Sequence, residues 1–298
     1  MATNDGEISV PFQISIQIKY MKLTNIFTLS VSLLAIPTFV SAGDIEVPSL
    51  TDSPLPVPVT EGGSIFGSAV SGSLSLDYNS HFISYGADVW GAGDELSDAL
   101  FQPSLQLSFQ LTEDVNFLLG MWYDVNDNAV SDIGGSIQEV DVWAGIGFGL
   151  GPVDVTLLYQ EWLYAGESER IIDVILSMDA PLSPSLTLHN RVNEGASGGD
   201  NGLVAVAGIE QGFSIGSVDF AIPVSVAAAT DGYHGGDSGF AYASLGLNAS
   251  VPLAFVNEEL GSWNLHGGFT YFVTDDDVIP NNPDDSFLTA NLGIGIDF

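Results

Sequence analysis

The sequence predicts an all-β protein, a transmembrane antiparallel up-and-down β-barrel of about 12 strands. Two observations lead there. Apolar residues alternate with small or polar ones through repeated stretches of about ten residues, the length a tilted strand needs to cross a bilayer. The connectors between these stretches are mostly short and long by turns. The last stretch shows the pattern most cleanly. Leu288, Ala290, Leu292, Ile294, Ile296 and Phe298 fall on even positions, with Asn291, Gly293, Gly295 and Asp297 between them. A period of two puts one set on each face of a strand.

The barrel is expected to begin well inside the chain. Met21-Lys22 opens a basic segment, Leu23 to Val40 is mostly apolar, and Val40-Ser41-Ala42 supplies small residues for cleavage. Residues 21–42 therefore read as a secretory signal peptide. Residues 1–20 read as an upstream extension from a misassigned start. Residues 43–65, rich in Pro and Gly, read as a flexible periplasmic lead-in.

Residues 66–298 then hold the strands. The first, 68–80, sets Val70, Leu74, Leu76 and Tyr78 against Ser71, Ser73, Ser75 and Asp77. In 101–111, Leu105, Leu107, Phe109 and Leu111 oppose Gln106, Ser108 and Gln110. Thr112-Glu113-Asp114 turns into 115–124, where Phe117, Leu119, Met121 and Tyr123 share a face. The fourth, 138–150, places Val140, Val142, Ala144, Ile146 and Phe148 opposite Glu139, Asp141, Gly145 and Gly147. Gly151-Pro152 turns into 153–163. In 170–180, Ile172, Val174, Leu176 and Met178 oppose Asp173, Ser177 and Asp179. The set continues with 185–193, 202–213 (where Ala and Gly blur the parity), 218–227, 239–251, 263–273 and 287–298.

The turns after the second, fourth and sixth strands are short. Connectors 81–100, 125–137, 194–201, 228–238 and 274–286 are longer and rich in Gly, Asp, Asn and Ser. That asymmetry fits short periplasmic turns and long outer loops; connector 252–262 is long for its side. Outward aromatics fall near strand ends, with Phe109, Phe148, Phe220, Trp263 and Phe298 low and Tyr78, Phe101, Tyr123 and Tyr271 high. Two such bands suit membrane interfaces. A soluble β-sandwich would also alternate, but it would not need these bands. After residue 42 no apolar run is long enough for a membrane helix.

The net charge of −34 bounds function. Cleavage after Ala42 removes Lys19 and Lys22 with Asp5 and Glu7, leaving Arg170 and Arg191 as the bases. A nucleic-acid partner is excluded for want of a basic footprint. With 46% hydrophobic residues, an acidic disordered chain is excluded too. High acidity suits hydrated loops, a saline habitat or ion selection. The absence of Cys excludes disulfides and thiolate metal sites.

The inward faces give candidate pore-lining residues: Asp77, Glu139, Asp141, Asp173, His189 and Arg191. Carboxylates in a confined lumen attract cations and oppose anions, and Arg191 is the obvious inward base. Small inward residues such as Ser71, Ser73, Ser75, Gly145, Gly147, Gly293 and Gly295 suggest free space, although Gly and Ser also ease close strand approach. No metal site, cofactor or enzymatic activity is expected. The four His residues lack metal-ligand spacing. Asp124 to Asn128 starts like a calcium loop, but Ala129 and Gly135 stand where Gly and Glu are required.

Two resemblances refine this reading. A terminal aromatic such as Phe298 resembles the C-terminal assembly signal of bacterial outer-membrane barrels. It implies the barrel-assembly machinery and outer-membrane lipid as partners, and the bacterial cell outer membrane as location. The string Gln138-Glu139-Val140-Asp141-Val142-Trp143-Ala144-Gly145, preceded by Met121-Trp122-Tyr123, resembles a stretch of TorF-type porins. That implies a porin-like channel for passive diffusion of small hydrophilic solutes or cations. The alternative is a non-conducting structural or adhesive barrel with acidic surface loops. Tyr233 to Gly239 brings His and Ser together but does not match the His-x-Ser arrangement of outer-membrane phospholipases.

Overall fold

The computed structural model describes residues 69–90, 99–164, 167–193 and 199–298. The upstream extension, signal peptide and lead-in expected before residue 66 lie outside the described residues. Twelve antiparallel strands close on themselves into one barrel. In chain order these are β1 (Val70–Asn79), β4 (Leu100–Thr112), β5 (Val115–Val125), β6 (Ile137–Leu150), β7 (Val153–Tyr164) and β8 (Glu167–Met178). They continue with β9 (Ser185–Asn193), β10 (Gly202–Ile215), β11 (Val218–Ala229), β12 (Gly239–Pro252), β13 (Ser262–Thr274) and β14 (Ser286–Asp297). Each strand pairs with its sequence neighbour, and β1 pairs with β14 to close the ring. Closure removes the free edges that would otherwise leave backbone groups bare in lipid.

Two short strands are additional to the sequence expectation. β2 (Ile83–Ser84) and β3 (Ala87–Asp88) form a hairpin within the first long connector. Its turn places Tyr85 and Gly86 at positive φ, 49° and 88°. Two-residue pairing is too short to give a periodicity signal, so the sequence read this segment as loop.

The alternating pattern sorts as expected. Leu119, Met121, Val142, Ile146, Leu157 and Leu292 are exposed on the exterior, while Gln106, Asp141, Gln160 and Asn248 are buried inside. An exposed apolar exterior of this extent suits hydrocarbon rather than water. Four of the expected girdle aromatics make cross-strand ring pairs: Tyr78 with Phe101 at one end and, at the other, Phe109 with Phe117 and Phe220 with Phe213, the partners Phe117 and Phe213 being additional to the expected set. Register shifts sit at the rims, at Gln110/Thr112, Asp124/Val125, Arg170/Ile171 and Ala227/Ala228. Bulges there add twist without breaking the wall.

The 252–262 connector is long because it is folded. Glu258–Leu260 forms a 3-10 turn capped by Asn257, which accepts from the Glu259 amide at 3.2 Å, and Trp263 donates to the Leu260 carbonyl at 3.0 Å.

Candidate functional site: the barrel interior

Strand parity builds the site. On β6 the odd positions Glu139, Asp141 and Trp143 point inward, because Val140 and Val142 between them belong to the apolar exterior. The same rule turns Asp124 inward from β5, Gln160 and Trp162 from β7, Glu169 and Asp173 from β8, and Thr187, His189 and Arg191 from β9. All of these side chains are buried. Register sets them beside one another: Asp124 opposite Glu139, Asp141 between Trp122 and Trp162, Trp162 opposite Glu169, and Asp173 opposite His189.

Most of these groups have partners. Asp124 accepts from Trp90 Nε1 at 2.9 Å, Gln102 Nε2 at 3.0 Å and Asn126 Nδ2 at 2.8 Å. Arg191 Nε meets Glu169 Oε2 at 2.9 Å, and its Nη1 donates to the Tyr233 carbonyl at 2.8 Å. Its guanidinium also lies 4.0 Å from the Tyr233 ring centre, a cation–π contact. Asp173 accepts from Gln160 Nε2 and stands 2.8 Å from His189 Nδ1. Asp141 differs: neither carboxylate oxygen has a partner.

The long-loop end of the interior is packed. Tyr85, at the tip of the β2–β3 hairpin, stacks on His189 with ring centres 3.8 Å apart and also faces Trp162. It joins one apolar cluster with Ile171, Tyr233, Tyr242, Phe272 and Ile279. Asn282 fixes the hairpin, donating to the Gly86 carbonyl and accepting from the Asp88 amide, both at 2.8 Å. His81 Nδ1 lies 3.0 Å from Asp88 Oδ2. His234, in the loop after β11, is half-buried there with its Nε2 covered; burial first, then the charges of Arg191 and His189, hold its pKa down to about 3.

On β4, β6 and β7 the inward positions nearest the short turns are less covered, although Asn248, Ser250 and His266 on β12 and β13 are buried. Asp154 and Gln110 are exposed, and Thr156 and Gly147 are half-buried. Not every inward glycine leaves space, however. A Cβ on Gly120 would strike the Trp143 ring, and one on Gly293 would strike Asp77 and His266. These glycines let larger neighbours fill the lumen, which corrects the expectation of free space at Gly293 and also at Gly145, whose missing Cβ makes room for Leu158.

Of the candidate pore-lining residues, Glu139, Asp141, Asp173, His189 and Arg191 share one wall. Asp77 does not. It sits on β1, where His266 Nε2 approaches it at 2.7 Å and Ser75 donates to it. Asp124 was not among the candidates, although it closes the expected strand 115–124 and parity from Trp122 places it inward. Glu169 was missed because β8 begins three residues earlier than expected. The strand also ends at Met178, two residues before the expected 180, so Asp179 is an exposed turn residue rather than an inward one.

No family model matches the chain, and no curated protein matches it. The TorF-type resemblance therefore rests on residues 121–123 and 138–145 alone. Among solved structures, the chain is similar to a bacterial polysaccharide outer-membrane secretin, at 8% identity over 77% of this chain and 98% of that one, with a TM-score of 0.39. It is also similar to a NanC porin, at 11% identity over 76% and 100%, TM-score 0.41. A third is Salmonella typhi OmpF with daunomycin, at 10% identity over 77% and 97%, TM-score 0.38. Likenesses this distant carry no functional weight; the barrel stands on its own strand pairing.

Proposed function

We propose that the chain is a porin-like barrel of the bacterial cell outer membrane, passing small hydrophilic solutes passively and cations in preference to anions. The observation that carries this reading is the charge of the inner wall. Asp124, Glu139, Asp141, Glu169 and Asp173 stand there with Arg191 as the paired base. Inward carboxylates are costly to bury unless paired, and Asp141 stands there without a partner. In a conducting lumen such carboxylates raise the local cation concentration. In this reading Asp77, Glu139, Asp141, Asp173, His189 and Arg191 line the path, and the described state, with Tyr85 packed on His189, is an occluded one.

The packed long-loop end favours a second reading, a non-conducting structural or adhesive barrel presenting acidic loops. Planar-bilayer recording separates the two. The expected result is conductance with a reversal potential favouring potassium in a KCl gradient, weakened at high salt by screening. Glu139→Gln with Asp141→Asn should move the ratio towards unity. Anion preference would overturn the cation reading, and a silent barrel would leave the structural one.

A further inference from the structure

We propose that Glu139 and Asp141 together hold a divalent cation of the calcium or magnesium class within the barrel. The inference comes from accounting for the buried carboxylates. Asp124 has three donors, Glu169 has Arg191, and Asp173 has Gln160 and His189. Asp141 is only 1% exposed, and neither of its oxygens has a partner. Another carboxyl group, that of Glu139, stands two positions along β6 on the same inward face and is itself buried. Its cross-strand neighbours, Trp122 and Trp162, leave it in largely aromatic surroundings.

Buried charges are paired or coordinate metals, because desolvation is otherwise uncompensated. A proton shared between the two carboxyls would occupy one Asp141 oxygen and leave the other bare. A hard divalent ion takes oxygen ligands in mono- or bidentate fashion and would engage both. Asp124 and Glu169 add negative potential at the same point, which favours a cation there. This site stands whether or not the barrel conducts, so a silent barrel in bilayers would not touch it.

The test uses the full chain folded in detergent micelles and stripped with EDTA. Calcium or magnesium chloride is then titrated at constant ionic strength, following tryptophan emission and the thermal midpoint. Both signals should respond, since Trp122 and Trp162 flank Asp141. Asp141→Asn should abolish the response and make the barrel insensitive to EDTA, while Glu139→Gln should weaken apparent affinity at least tenfold. If Asp141→Asn fails to fold, Glu139→Gln decides. Asp275, Asp276 and Asp277 form an acidic group on a loop, and replacing all three with Asn should leave the response intact. No response in the wild type, an equal response to KCl, a retained response in Asp141→Asn, or loss in the loop variant would each overturn the site.

Discussion

Phe298 and Gly72 close the barrel together. Gly72 N donates to the Phe298 carbonyl at 2.7 Å and Phe298 N donates back at 2.9 Å, extending the β1–β14 ladder by one pair. The Phe298 ring lies over Gly72 on the exterior, where a Cβ would collide with it. An aromatic covering a cross-strand glycine stabilises a sheet at a point where no side chain fills the surface. Gly72→Val should therefore displace the ring and reduce the heat-modifiable, membrane-inserted fraction. Deleting Phe298 should reduce it further by removing the backbone pair as well. Normal insertion of both variants would sink a role for this contact in closure.

The register of β14 predicts opposite environments for adjacent positions. Leu292 is 55% exposed on the exterior, while its neighbour Asn291 is buried in the interior. Leu292→Arg should destabilise the inserted barrel by about 2–4 kcal/mol if the position lies near the bilayer midplane. Because the chain has no native Cys, single Cys substitutions offer a direct check. Leu292→Cys should react with a lipid-soluble maleimide and Asn291→Cys should not. Equal labelling would mean that the strand is rotated relative to this register.

How much of this was legible in the sequence follows from where a period of two exists. β9 runs over Ser185–Asn193 as expected, and no other barrel strand departs by more than three residues at either end. Alternation between lipid and lumen is a strong constraint at every position of such strands. Beyond the wall the signal fails. Tyr85 reaches the lumen from a hairpin of two-residue strands, and its stacking on His189 depends on a contact between residues far apart in sequence. Inward direction could be read from parity, but solvent access could not. Glu139, Asp141 and Asp173 follow the inward parity of their strands, and strand residues stand beside two of them: Trp122 and Trp162 by Asp141, Gln160 and His189 by Asp173.

His234 predicts a pH dependence. Its folded pKa of about 3 lies below the ordinary 6.5 because burial, then Arg191 and His189, disfavour the charged ring. Between those values the unfolded chain binds more protons than the folded one, so stability rises with pH. The contribution is complete above pH 6.5 and is lost progressively as pH falls towards 3. Between pH 7 and pH 4 the thermal midpoint of the wild type should fall further than that of His234→Gln. Parallel curves would show that the ring is already charged or exposed in the folded barrel.

The β2–β3 hairpin is expected to act as the plug. Tyr85 fills space against His189 and Trp162, and the hairpin is held by its short pairing, the Asn282 hydrogen bonds, the His81–Asp88 contact and the packing of Ile83 and Tyr85 in the apolar cluster. Asn282→Ala removes both hydrogen bonds to the hairpin backbone while leaving Tyr85 in the apolar cluster. Net contributions of about 0.5–1.5 kcal/mol per hydrogen bond are enough to shift an open–closed balance several-fold. The variant should therefore raise open probability in single-channel records without changing the size of the open current. Tyr85→Ala should do more, because it also removes the ring that covers His189. Deleting residues 83–88 should give the largest and steadiest current. If that deletion conducts no better than the wild type, the occlusion lies elsewhere in the packed end, in the Tyr233 loop or around Ile279, and the hairpin is structural.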